Sequence, residues 1–148
     1  MKGVLILVMF MTTPVLLFSK NNPDSLYSLT IKIEDIHSNQ GNIRVHLYDV
    51  NNQEAFPTKS ILANHLKIGE IRNNSSIVTF EALPPGIYAF TVHHDENLNE
   101  KMDRNFLGMP TEGWALSNNI KPLLQLPTFQ KCCFNLKDNK KVIIKINY

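Results

Sequence analysis

The residues best suited to chemistry form one polar stretch, His93-His94-Asp95-Glu96-Asn97-Leu98-Asn99-Glu100-Lys101-Met102-Asp103. Asp95, Asn97, Asn99 and Asp103 stand at positions 1, 3, 5 and 9 of a run, the spacing of oxygen ligands in loops that wrap calcium. The ligand at position 7 of such a loop is a backbone carbonyl, which here would be that of Lys101. Two requirements go unmet: position 6 is Glu100 where the sharp turn wants Gly, and position 12 is Phe106 where a bidentate Glu is needed. Glu96, Glu100 or Glu112 could supply the missing carboxylate. With Asp95 and Asp103 as the formal charges, the expected calcium affinity is weak, a Kd of about 10⁻⁴ to 10⁻³ M. The competing reading is a solvated loop whose Asp and Asn side chains bond their own backbone and cap turns.

Other chemistries are less well supplied. His93 and His94 are adjacent on a strand pattern, so they project to opposite faces and do not easily share a metal. By the same alternation His46 and His93 are outward-facing and become neighbours if their strands pair. His94 falls at the inner end of a core strand, where bonding within the loop is a better expectation than zinc. His93 or His94 with Asp95 could move a proton, but no nucleophile or oxyanion donor completes a mechanism. No catalytic residue is assigned, and the expectation is a protein that is not an enzyme. Ser117-Asn118-Asn119 reads as a cap or loop anchor. Trp114, the single tryptophan, could be a platform for a sugar, but packing beneath the loop is the preferred reading.

The elements that must position this loop are strands. Leu29, Ile31 and Ile33 alternate with Thr30, Lys32 and Glu34, and Ile43, Val45 and Leu47 with Arg44, His46 and Tyr48. Ser38-Asn39-Gln40-Gly41 between them is a turn, which predicts a hairpin. A short edge strand is expected at Ile68–Ile71, and one or two helical turns within Ser60–Leu66. A further strand is read at Ile77–Phe80. Pro84-Pro85-Gly86 predicts a type II turn with positive φ at Gly86. Ile87–His94 then reads as a strand with Tyr88, Phe90 and Val92 on one face. Strands at Phe129–Leu136 and Val142–Ile146 follow. About seven short strands without a long helix argue an all-β fold, a single antiparallel two-sheet sandwich. The connection from Asp95 to about Pro127 is long enough to need its own structure. Its Phe106, Leu107, Met109, Trp114 and Leu116 are expected to fold back onto the sandwich.

The chain has 148 residues, enough for one domain. Residues 1–19 read as a signal peptide or N-terminal anchor: Lys2, then an apolar run from Val4 to Phe18, too short for a typical span. Residues 20–27 read as a linker and residues 28–148 as the β-sandwich domain. The net charge of +2 leaves no footprint for nucleic acid or an anionic membrane. Membrane attachment is expected only through an uncleaved N-terminal segment. Cys132 and Cys133 are adjacent, which disfavours a disulfide between them; two free thiols on a strand are expected.

Several of these residues carry a resemblance. Leu83-Pro84-Pro85-Gly86-Ile87-Tyr88-Ala89-Phe90-Thr91-Val92, His94-Asp95-Glu96-Asn97, Asp103, Asn105, Gly108, Pro110, Glu112-Gly113-Trp114 and Ser117-Asn118-Asn119 together resemble the bacterial family called domain of unknown function 2141. Gly41-Asn42-Ile43-Arg44-Val45 and Leu47-Tyr48-Asp49 fit it too, so the resemblance spans roughly residues 28–148. It implies an exported β-sandwich, mostly of Gram-negative bacteria, with no established activity. Residues 83–92 are also similar to carboxypeptidase regulatory-like and transthyretin-like sandwiches. The chain departs from the family at Glu100, where a Gly is usual; that makes a cation-wrapping turn harder, since Gly takes positive φ without steric cost.

The sequence thus predicts an exported, periplasmic or secreted, non-enzymatic module of the cell envelope with a weak calcium site in the 95–103 loop. The alternative is a metal-free accessory module binding an envelope protein or glycan through the surface around Trp114. A His/Asp metal hydrolase ranks last.

Overall fold

The computed structural model describes residues 25–122 and 125–148. The expected signal or anchor, and residues 20–24 of the linker, lie outside them.

Alternating apolar residues build two sheets. One contains β1 (Tyr27–Glu34), β4 (Ser76–Leu83) and β8 (Lys140–Lys145), in the order β4-β1-β8. The other contains β2 (Asn42–Asp49), β3 (His65–Gly69), β5 (Gly86–Asp95) and β6 (Trp114–Leu116), in the order β3-β2-β5-β6. A short β7 (Phe134–Leu136) pairs with β5 beyond the end of β6. Leu29, Ile31 and Ile33 of β1 meet Ile43, Val45, Leu47, Phe90 and Val92 of the second sheet in one buried core. This is the all-β two-sheet sandwich that the alternation implies, with eight strands among the described residues where about seven are expected. One pairing, β1 with β8, is parallel.

The second sheet is buried on its outer face as well. Tyr48, Ala55, Phe56, Ala89, Leu116, Phe129 and Cys132 form a second apolar cluster there. It is roofed by a 3-10 segment at Val50–Ala55 and a four-residue helix, α1 (Phe129–Cys132). That double burial makes β5 the central strand, buried from Tyr88 to Asp95.

Several expectations are corrected. β1 and β2 are not a hairpin, because their connection crosses between sheets: Asp35 takes φ 63° and Ile36 drops into the core. The edge strand is His65–Gly69, since β3 pairs with β2 from Leu47 to Ile43. Phe129–Leu136 is not one strand; its first half folds as α1, and Cys132 and Cys133 lie at the end of that helix, both as free thiols. Burial pushes the Cys132 thiol up to about 11. Gly86 does not adopt positive φ. Ala82 does, at 55°, where the register of β4 against β1 shifts as a bulge. The tip residues Phe106, Leu107 and Met109 do not fold back; they are exposed.

Candidate functional site

The site is assembled on the outer face of the second sheet, at the end where β5 runs into the polar loop. The register pairs Arg44 with His93 and Asn42 with Asp95 across β2 and β5, and Trp114 with His93 across β5 and β6. Alternation then places Arg44, His46, Thr91, His93 and Trp114 on one face, as expected for His46 and His93.

Asp95 is fully buried. Its Oδ1 accepts the backbone N–H of Asn99 (3.1 Å) and its Oδ2 that of Glu100 (3.0 Å). Arg44 stands beside it, Nη1 lying 3.8 Å from Asp95 Oδ2 and 3.3 Å from Glu100 Oε1. Glu112 clasps the far side of the loop. Its Oε1 accepts Glu96 N–H (3.1 Å), and its Oε2 accepts Asp103 N–H (3.0 Å) and the Nε2 of His93 (2.8 Å). The loop therefore hangs between two buried carboxylates.

Of the residues with calcium-loop spacing, Asn97, Asn99 and Asp103 come together. The Asp103 carboxylate accepts the Asn97 amide (2.6 Å) and the Asn99 amide (3.0 Å). Asn97 Oδ1 and Asn99 Oδ1 accept the backbone N–H two residues on, of Asn99 (3.0 Å) and Lys101 (2.7 Å). These are the self-bonded turns that Asn favours. Leu98 and Glu100 take left-handed φ of 62° and 65°. Glu100 thus occupies the conformation for which Gly is the easy residue. Lys101 lines a different feature, a cleft beside the loop. Glu112 touches the Asn97–Asp103 group only through the Asp103 backbone N–H, and its carboxylate lies beside His93 and Asp95. Among the described residues, His93, Asp95 and Glu112 each offer a ligand-capable atom within 4.8 Å of the others.

His94 is bonded outside the loop. Its Nε2 faces the Gln40 carbonyl (2.8 Å), which can only accept, so Nε2 carries the hydrogen and Nδ1 accepts the Tyr148 hydroxyl (2.7 Å). Tyr148 also accepts the His37 N–H (3.1 Å) and stacks on the His37 ring. His94 therefore ties the β1–β2 connection to Tyr148, while its Nδ1 also lies 3.6 Å from Glu96 Oε1 at the start of the loop.

A cleft of about 380 Å³ opens beside the loop. His46, Thr91 and His93 form its floor, with Trp114 among the walls and Lys101 and Arg104 on the loop side. Trp114 packs against the second apolar cluster while lining this cleft. Burial, then Arg44 and His93, lower the His46 pKa from 6.5 to about 4. Near neutral pH its imidazole is therefore uncharged, one nitrogen donating and the other accepting. Arg44 and His46 were not singled out as site residues by the calcium spacing. The only sequence signal for them is that they alternate outward on a strand whose pairing with β5 is a tertiary fact.

Ser117-Asn118-Asn119 is an anchor, as expected. Ser117 Oγ accepts Phe90 N–H (3.1 Å) and donates to the Cys132 carbonyl (2.8 Å). Asn118 donates to the carbonyls of Cys132 and Cys133. Asn119 accepts Lys145 N–H and donates to the Ile143 carbonyl along the edge of β8.

The model of domain of unknown function 2141, uncharacterised proteins conserved in bacteria, matches residues 31–144, and the chain belongs to that family. No curated protein and no solved structure matches the chain.

Proposed function

We propose that this member of domain of unknown function 2141 is an exported, non-enzymatic accessory module of the cell envelope that binds a glycan unit in the cleft beside Trp114. The observation that carries the reading is the composition of that cleft, in which Trp114 lines the same sheet face as His46, Thr91 and His93. An aromatic face packs on the apolar side of a sugar ring, and an uncharged imidazole can both donate to and accept from hydroxyls. Its volume lies within the range of small-molecule sites. The export part of the reading rests on the apolar run Val4–Phe18. Among the described residues no helix is long and apolar enough to cross a membrane. Saturation-transfer NMR against a panel of neutral and acidic pyranosides tests it. At least one sugar should give a saturable signal that His46→Ala reduces about tenfold. A panel without any saturable binder would rule the reading out.

A second reading keeps calcium in the 95–103 loop. It is favoured by the left-handed turns at Leu98 and Glu100, which curl Asn97, Asn99 and Asp103 together, and it requires the Asn97 and Asn99 amides, which donate to Asp103, to turn their oxygens towards the ion. Asp95, Asn97, Asn99, Asp103 and the Lys101 carbonyl would hold the ion, with Glu112 as the extra carboxylate. Calcium at roughly ten times Kd should then stabilise by about 1.4 kcal/mol. That is a rise of several degrees in Tm over chelator, without an equal rise from magnesium. Equal Tm values in calcium and chelator would eliminate this reading and leave the first standing.

A further inference from the structure

The loop ends in a tip whose large apolar side chains face solvent: Phe106 is 95% exposed, Leu107 72% and Met109 60%. This exposure is built into a tight hairpin. Arg104 bridges Pro110, and inside that pair Asn105 N–H donates to the Met109 carbonyl and Gly108 N–H to the Asn105 carbonyl, both at 2.9 Å. The Asn105 side-chain oxygen accepts the N–H of Leu107 (3.0 Å) and of Met109 (3.1 Å), and the Arg104 guanidinium donates to the Gly108 carbonyl (2.8 Å). Gly108, at φ 79°, has open space where a Cβ would point, which marks the apex of a convex turn.

Two consequences follow from physical chemistry. The N–H groups of residues 105, 107, 108 and 109 are bonded within the tip, so a medium offering no replacement hydrogen bonds can receive this backbone at low cost. Behind the apex stand two cations, Lys101 and Arg104. Glu100 is paired with Arg44, whereas Asp103 is bonded to the neutral Asn97 and Asn99 amides and keeps its charge, so Lys101 and Arg104 against Asp103 leave residues 101–110 with a net charge of +1. A rigid, convex apolar cap backed by cations is complementary to the headgroup boundary of an anionic bilayer. There apolar groups reach the acyl chains and cations stay among phosphates.

We propose that the 104–110 tip docks on an anionic lipid surface by inserting Phe106, Leu107 and Met109, which adds a membrane contact that the overall charge of the chain does not suggest. The proposal is independent of what the Trp114 cleft binds.

The test uses the full chain with vesicles of phosphatidylcholine containing phosphatidylglycerol, and with pure phosphatidylcholine. In Phe106→Trp the tip remains apolar and gains a reporter. Its emission should shift to the blue on the anionic vesicles and be quenched by lipids brominated in their acyl chains. Read as the difference from the parent, whose Trp114 also emits, this signal reports the tip and not an anchorage through residues 1–19. The double variant Phe106→Ser/Leu107→Ser should partition about tenfold more weakly than the parent, and added salt should weaken the parent's binding. Tip emission that does not move, or a double variant within threefold of the parent, overturns the proposal. So does self-association without vesicle binding that the double variant abolishes, since the tip would then be seated on a second copy of the chain.

Discussion

His93 Nε2 lies 2.8 Å from Glu112 Oε2, joining the central strand to the far end of the loop that leaves it. The same carboxylate holds the N–H groups of Glu96 and Asp103. Glu112 therefore closes the loop onto its own strand, and the spacing that suggested calcium is held by a residue outside that spacing.

Removing this carboxylate leaves one buried donor, His93 Nε2, and two half-buried ones, the N–H groups of Glu96 and Asp103, without their partner. Each buried donor so orphaned costs about 1–3 kcal/mol, with part recovered by water. Glu112→Ala should lower unfolding free energy by about 3 kcal/mol in urea, and should speed hydrogen exchange at the amides of Glu96 and Asp103. Exchange unchanged at both amides would mean that Asp95 alone holds the loop.

Gly41 shows how closely the β1–β2 connection approaches the site. It takes φ 71°, and a Cβ there would collide with the Asp95 carbonyl and lie 2.6 Å from Glu96 Cα. Both obstacles are backbone, so neither can rotate away. Gly41→Ala combines a left-handed alanine with displacement of the loop root, and a loss of more than about 3 kcal/mol is expected. A variant as stable as the parent would show that the turn can re-form around Asp95.

The sandwich was legible because alternation is a local property. The apolar faces of β1, β2 and β5 can be counted off the chain, and burial follows them. Strand partners were not legible in the same way. Nothing in Ser38-Asn39-Gln40-Gly41 distinguishes a hairpin turn from a crossing between sheets; the pairing of β1 with β4 and β8 decides it. The role of Arg44 is hidden in the sequence for the same reason, since its contact with Asp95 exists only through the β2–β5 register. Asp95, Asn97, Asn99 and Asp103 were visible from spacing, but the role of Glu112 depends on the loop returning beside His93. Phe129–Cys132 has a strand-like sequence because a four-residue helix leaves no periodicity to count.

Ser117 mends an interruption in the second sheet. β6 pairs with β5 at Thr91–His93 and β7 pairs at Gly86–Tyr88, so Phe90 N–H has no strand partner on that side. The Ser117 hydroxyl accepts it and passes its own hydrogen to the Cys132 carbonyl. Ser117→Ala should cost about 1–3 kcal/mol, because the buried Phe90 N–H is left unpaired while the Cys132 carbonyl keeps the Asn118 amide. Ser117→Thr tests the same geometry with the hydroxyl retained. If Ser117→Ala unfolds at the parent's urea midpoint, water or a shifted strand end replaces the hydroxyl.

The floor of the cleft gives a prediction in pH. His46 titrates near 6.5 when unfolded and near 4 when folded, because burial, Arg44 and His93 all oppose its charge. Between these values the unfolded chain binds the proton and the folded chain does not. Unfolding free energy therefore rises with pH across this window and is lost as pH falls from about 6.5 towards 4. The full effect is about 3 kcal/mol at most, and less where cleft water screens the imidazolium. Carboxylates contribute to the same slope, so the informative quantity is the difference between the parent and His46→Gln. The variant should lose less stability between pH 6.5 and pH 4.5, by about 1–2 kcal/mol. Parallel curves would mean that His46 accepts its proton freely, and a cleft floored by an uncharged imidazole would no longer describe this face of the sheet.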